Sequence, residues 1–132
     1  MPKATREAAE AEFERLASAA DVNIDPDTMN DEEVEELEEL SNLFVGAIAD
    51  GAISIDEEGR AVLHTKDGDP MVFRVPLGAD LMIMASAREE KRMEAMSRFV
   101  SALTGQPTAR LDKLRKKEWK LAMRIAGFLS AD

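Results

Sequence analysis

Residues 71–81 read MVFRVPLGADL and decide the fold of this chain. Apolar side chains occupy every second position from Met71 to Val75, a period typical of a strand with one buried face. Pro76 ends that strand, because proline has no N–H to donate to a sheet. The residues that follow predict a helix that begins near Ala79 or Asp80. A strand that leads directly into a helix indicates a mixed fold of strands and helices.

The segment before it predicts two more strands. Residues 52–55 and 61–64 both alternate, and the sequence Asp-Glu-Glu-Gly between them is a turn signal, so together they predict a hairpin. Residues 66–70 supply a second turn before the strand that starts at Met71. We therefore expect a three-stranded antiparallel sheet over about residues 52–76.

A long helix is predicted before the sheet. Asn30 is a good N-cap, and Glu33 stands three residues later, as in a capping box. Gly51 is the natural C-cap of this helix. Its apolar stripe repeats at intervals of three and four residues through Val34, Leu37, Leu40, Leu43, Phe44 and Ile48.

Further helices are predicted after the sheet. Ser86 and Glu89 fit a capping box, which predicts that one helix ends there and another begins. Gly105 ends that second helix, and Thr108 is the predicted cap of the last one. The stripe of the last helix runs through Leu111, Leu114, Leu121, Ala122, Ile125 and Leu129.

These patterns predict a mainly helical α+β fold, with the small sheet packed between helices from both flanks. The 132 residues fit one compact domain, which we place at residues 31–132. Residues 1–30 form an acidic, Ala-rich N-terminal segment. The apolar stripe of that segment is thin, which fits either a mobile helix or a helix that needs a partner.

Composition narrows the class of protein. The absence of cysteine excludes a disulfide framework and a thiolate metal site, and it agrees with a reducing cytoplasm. The first seven residues lack the apolar core of a signal peptide. No stretch approaches the roughly 18 apolar residues of a membrane span. We expect a cytoplasmic protein that does not associate with membranes.

Charge is divided unevenly along the chain. Residues 1–59 carry three cations and 18 carboxylates, whereas residues 60–132 carry 14 cations and nine carboxylates, and the net charge is −10. So acidic a chain is a poor nucleic-acid binder, because phosphate contacts need clustered Lys and Arg. The division favours head-to-tail contacts, which makes a homo-oligomer one expectation.

One acidic stretch of the sequence resembles a functional site. Asp21, Asn23 and Asp25, with Glu32 eleven residues after Asp21, resemble an EF-hand calcium loop, but Pro26 stands where that loop needs glycine. A degenerate calcium-binding module therefore stays open as one alternative. The acidic first 59 residues leave a second alternative, an acidic protein-interaction module that mimics DNA. His64 is the only histidine and has no motif around it. We expect no enzymatic activity, no catalytic residues, no metal site and no cofactor.

The second half of the chain carries a family resemblance. The pieces are Phe73-Arg74-Val75-Pro76, Gly78-Ala79-Asp80-Leu81, Leu103-Thr104-Gly105 and Phe128-Leu129, in that order. Over roughly residues 60–132 the chain resembles the small tail assembly chaperones of bacteriophages, especially the Mu-like kind. The resemblance implies a protein without enzymatic activity that binds the tape-measure protein and helps tail tube subunits assemble around it. It also implies a location in the bacterial cytoplasm and absence from the mature virion.

Within this resemblance, partner binding is expected on apolar helix faces. The chain has eight methionines, and Met-rich faces suit partners that fit imperfectly, because the side chain is flexible and polarisable. The alternative is that these side chains fill the core, as stripes at helical spacing usually do. The candidate partner-binding residues are Met93, Met96, Phe99, Val100, Trp119 and Met123.

Overall fold

A computed structural model describes residues 5–131 and confirms a mainly helical α+β fold. Two short 3-10 helices, Pro26–Thr28 and Glu89–Lys91, supplement the regular elements. In chain order those elements are α1 (Arg6–Ala19), α2 (Asp31–Asp50), β1 (Ile53–Ile55), β2 (Ala61–Leu63), β3 (Met71–Phe73), α3 (Gly78–Ala85), α4 (Arg92–Thr104), α5 (Thr108–Leu111) and α6 (Lys116–Leu129).

The three strands form an antiparallel meander in the order β1-β2-β3, as predicted. One face of the sheet is buried, and its two rows align Ile55 with Ala61 and Phe73, and Ile53 with Leu63 and Met71. β3 is shorter than the alternation predicts. It ends at Phe73 because the N–H of Arg74 donates to the carbonyl of Leu103 in α4 (3.1 Å), and Val75 is left 41% exposed.

Both ends of α2 have the predicted caps. The side-chain oxygen of Asn30 accepts a hydrogen bond from the N–H of Glu33 (2.8 Å), and the Glu33 carboxylate accepts one from the N–H of Asn30 (3.2 Å). Gly51 follows the helix with φ of 83°, the left-handed conformation that favours glycine. These caps satisfy N–H and C=O groups that the ends of a helix leave without partners.

Helix α1 shares one core with the rest of the chain. The ring of Phe13 lies 5.6 Å from that of Phe44 in α2 and 5.3 Å from that of Phe128 in α6, measured between centroids. Arg15 also donates to the carbonyl of Ile55 at the edge of the sheet (3.0 Å). The thin apolar stripe of residues 6–19 therefore has its partners within the molecule.

Two predicted helix starts are wrong. The hydroxyl of Ser86 lies at the end of α3 and donates back to the carbonyl of Met82 (2.6 Å), so it does not cap α4. Thr108 is the first residue of α5 and makes no capping bond, and the chain turns again before α6. The α6 start instead depends on Glu118, whose carboxylate accepts a hydrogen bond from the N–H of Arg115 (3.0 Å).

Candidate functional site

Most of the large apolar side chains that are exposed to solvent lie in or near α3. Six such side chains are exposed among the described residues, and five of them lie between Val75 and Met93. Leu77 is 67% exposed, Met82 60% and Met93 62%. We call Val75, Leu77, Leu81, Met82 and Met93 the α3 surface. Clustering of this kind is typical of a protein-binding site, whereas single exposed apolar residues are ordinary.

The composition of α3 explains this exposure. Its sequence, GADLMIMA, contains one charged residue, and that residue, Asp80, is its only buried one. Helix α3 packs on one side against α4. A helix with apolar side chains around most of its circumference cannot bury all of them against one neighbour, so some must face solvent.

A buried carboxylate fixes the start of α3. Asp80 is only 6% exposed, and its two oxygens accept hydrogen bonds from Arg74 at 2.6 and 2.9 Å. One of them also accepts from the N–H of Leu77 (2.8 Å). The bonds from Arg74, followed by that from Leu77, lower the pKa of Asp80. The carboxylate therefore stays charged and holds Leu77 in place at neutral pH.

The six sequence-predicted binding residues do not form one surface. Phe99 and Val100 lie in the core and offer nothing to a partner, because their side chains pack inward from α4. Met96 and Trp119 are half-buried against the same core. Met93 is exposed at the start of α4 and belongs to the α3 surface. Met123 is half-buried and lies in a groove between α2 and α6.

Leu77, Leu81 and Met82 are not among the binding residues predicted from the sequence, although all three are exposed. The sequence does contain a signal for Leu81 and Met82. Residues 81–85 are five consecutive apolar residues, which leaves this part of the helix without a polar face. On an eight-residue helix that packs against α4, such a run exceeds what the neighbouring helix can cover.

A second surface is the groove between α2 and α6. Its volume is about 990 Å³, and it opens to solvent. Part of the lining is apolar. We call these residues, Leu43 and Ala47 from α2 and Leu121 and Met123 from α6, the floor of the groove. The α6 side is cationic, through Lys116, Lys117, Lys120 and Arg124.

His64 lies on the outer face of the sheet. One of its ring nitrogens is 2.7 Å from the hydroxyl of Ser54, and partial burial lowers the pKa of the imidazole. Within residues 5–131, Ser54 is the one side chain that hydrogen-bonds the ring. The contact joins β1 to the end of β2 and is consistent with a strand-pairing role.

The acidic loop resembling an EF-hand is organised by local hydrogen bonds. The side chain of Asn23 accepts from the N–H of Asp25 (3.0 Å), and that of Asp25 accepts from the N–H of Asp27 (3.0 Å). Pro26 begins the short 3-10 helix. Among the described residues, no three acidic or histidine side chains converge to hold a metal ion.

Comparison of the chain with protein-family models, curated proteins and solved structures gave no match. In the part of the chain that the structure describes, no helix has the length and apolar character needed to cross a bilayer. The exposed surfaces and the resemblance described above therefore supply the basis for a functional proposal.

Proposed function

We propose that this protein is a non-enzymatic tail assembly chaperone of a bacteriophage, which binds the tape-measure protein through the α3 surface. The observation that carries the proposal is the concentration of exposed apolar side chains on α3 and at the start of α4. A chaperone for a long helical protein needs such a surface, because an amphipathic helix is recognised through its apolar face.

The chemistry of the α3 surface suits reversible binding. Met82 and Met93 are flexible and polarisable, so they adapt to apolar faces of differing shape. Leu77 is the N-cap residue just before α3 and Leu81 lies in its first turns, so two exposed leucines stand near the start of the helix. Such a surface tolerates many sequences, which suits a long helical partner.

The proposal includes the assembly step. Tail tube subunits would replace the chaperone on the tape-measure protein in the bacterial cytoplasm, so the chaperone would be absent from the mature virion. This replacement requires an interface that dissociates. An apolar surface of five side chains is small enough for that purpose, because small interfaces are characteristic of transient complexes.

Co-expression with the tape-measure protein from the same genome tests the proposal. The wild-type chain should raise the soluble yield of that protein and co-purify with it. The double variant Leu81→Asp/Met82→Asp should abolish both effects, because two charges in the contact would remain desolvated without partners. Both side chains are exposed, so the variant should still fold, and circular dichroism checks this.

Leu43→Asp is the matched control. It also places a charge on an exposed apolar position, but in the groove between α2 and α6. It should leave the soluble yield of the tape-measure protein unchanged. A wild-type chain that neither co-purifies with that protein nor alters its solubility would overturn the chaperone assignment.

A further inference from the structure

The groove between α2 and α6 has an electrostatic character opposite to that of the whole protein. Four cations line it, together with one carboxylate, Asp50, although the chain has a net charge of −10. None of the four cations forms an ion pair with a side chain that the structure describes. Within residues 5–131, Asp50 is thus the one carboxylate that lines the groove, and it forms no ion pair with the four cations, so the groove keeps an excess of positive charge.

Stability of α6 does not account for these cations. Lys116 and Lys117 lie in its first turn, where the helix dipole is positive and cations are unfavourable. The last turn of α6, where cations would stabilise the helix, has none. The placement costs some helix stability and concentrates positive potential at the groove, as a binding role requires.

The floor supplies a second kind of recognition. Leu43 is exposed, Met123 is half-buried, and Gly46 leaves open space because no atom lies within 4 Å of where its Cβ would be. The part of α6 that lines the groove runs from Lys116 to Arg124, which corresponds to about 13 Å of helix. The groove therefore has room along this wall for about two turns of a helix.

We propose that this groove binds an acidic amphipathic helix of a partner protein. Leucine-like side chains of that helix would enter the floor beside Gly46, and its carboxylates would pair with the lysines of α6. The proposal goes beyond the chaperone function, since it concerns a different surface. Its outcome does not depend on whether the α3 surface binds a tape-measure protein.

Two other occupants fit less well. A second copy of this chain would offer the outer face of α2, which is rich in exposed carboxylates, but the apolar residues Val34 and Leu37 of that helix are half-buried. The carboxylates of that face would match the cations of the groove, but its apolar side chains would not cover the floor. Nucleic acid would match the cations as well, but the acidic faces of α1 and α2 would repel a polyanion.

The probe is a fluorescein-labelled peptide of about 18 residues, with leucine on one helical face and glutamate elsewhere. Fluorescence anisotropy with the full chain measures its Kd. Two matched peptides replace either every glutamate by glutamine or every leucine by serine. Each should bind at least about tenfold more weakly, because each lacks one of the two kinds of contact.

Variants of the chain locate the binding site. Lys117→Glu/Lys120→Glu should raise the Kd for the acidic peptide by about tenfold or more, because like charges then face one another. Gly46→Met should also raise it, because the new side chain would enter the floor. Lys113→Glu is the control, since Lys113 is exposed and outside the groove. It should change the Kd by less than about twofold.

Several results would overturn the proposal. One is that the acidic peptide does not bind. Another is that the glutamine or the serine peptide binds as tightly as the acidic peptide. A third is that Lys113→Glu raises the Kd as much as Lys117→Glu/Lys120→Glu does. Tighter binding of a duplex oligonucleotide than of the acidic peptide would assign the groove to nucleic acid instead. Self-association in sedimentation that Lys117→Glu/Lys120→Glu removes would assign it to a second copy.

Discussion

The guanidinium of Arg74 donates two hydrogen bonds to the carboxylate of Asp80, and this pair joins the end of β3 to the first turn of α3. Asp80 also accepts from the N–H of Leu77, so one buried carboxylate orients both the incoming chain and the helix start. Leu77, the most exposed side chain of the α3 surface, is therefore held in place by the Arg74–Asp80 pair.

Asp80→Asn should destabilise the fold by about 1–3 kcal/mol, the range for a hydrogen-bonded charged group that loses its partner. The amide keeps the shape of the carboxylate but cannot accept both bonds from Arg74. Urea unfolding at neutral pH measures the change. Asp112→Asn is the control, because Asp112 is exposed and its side chain makes no hydrogen bond among the described residues. Equal stability of the two variants would contradict this role for Asp80.

The same pair predicts the direction of a pH effect. The pKa of Asp80 lies below its ordinary value of 3.8, chiefly because Arg74 bonds the charged form. The stabilisation is fully present above that ordinary pKa and is lost as pH falls through the lowered one. The free energy of unfolding of the wild type should therefore decrease more steeply in acid than that of Asp80→Asn.

Asp67 also makes the free energy of unfolding depend on pH in acid, in the wild type and in Asp80→Asn alike. Its hydrogen bonds with Arg110, followed by the one with Thr65, lower its pKa to about 2. Because this carboxylate is present in the wild type and in Asp80→Asn alike, only the difference between the two pH profiles reports on Asp80. Parallel profiles would show that Asp80 titrates alike in the folded and unfolded states.

Phe73→Ala should cost about 3–5 kcal/mol, as expected when a fully buried Phe is truncated. Phe73 is 0% exposed and lies on the buried face of the sheet, at the end of β3. Val75→Ala, two residues later, should cost less than about 1 kcal/mol because its side chain is half in solvent. Chemical unfolding of both variants tests the point. A similar cost for the two would mean that β3 continues beyond Phe73.

Calcium should have no specific effect on this protein. Asn23 and Asp25 use their side-chain oxygens on backbone N–H groups of the same loop, and Pro26 starts a helical turn where an EF-hand needs glycine. Millimolar calcium should shift the melting temperature no more than magnesium does. A calcium-selective rise of several degrees would instead favour the calcium-binding module.

Features set by neighbouring residues were predictable from the sequence. The caps of α2 at Asn30 and Gly51 and the hairpin between β1 and β2 depend on residues at most a few positions apart, and the structure confirms them. Distinguishing Phe99, which is core, from Met93, which is exposed, was not possible from periodicity. Both lie on α4, and only the packing of α4 on β3 and α6 decides which side is covered.

The groove was harder still to predict. Its cations come from one segment and its floor from two helices that are more than sixty residues apart in the sequence, so no local pattern brings them together. The position of α2 beside α6 is set by tertiary packing, and no pattern in the sequence indicates it.

The turn between β1 and β2 approaches the end of α1 closely at Gly59. Gly59 has φ of 83°, and a Cβ placed there would lie 2.5 Å from the Cβ of Ala19 at the end of α1. Gly59→Ala should therefore cost more than the roughly 1 kcal/mol due to the left-handed backbone alone. Gly46→Ala, in α2 with open space around it, is the contrasting control and should stabilise by up to about 1 kcal/mol.

A double variant separates the two costs at Gly59. Ala19→Gly removes the methyl group that the new Cβ would strike, so Ala19→Gly/Gly59→Ala should recover the steric part of the loss and keep the backbone part. The coupling between the two sites in a double-mutant cycle should therefore be favourable, at about 0.5–3 kcal/mol for residues in direct contact. Additive effects in denaturant unfolding would mean that the turn moves away from α1 and that the contact does not hold the N-terminal helix against the sheet.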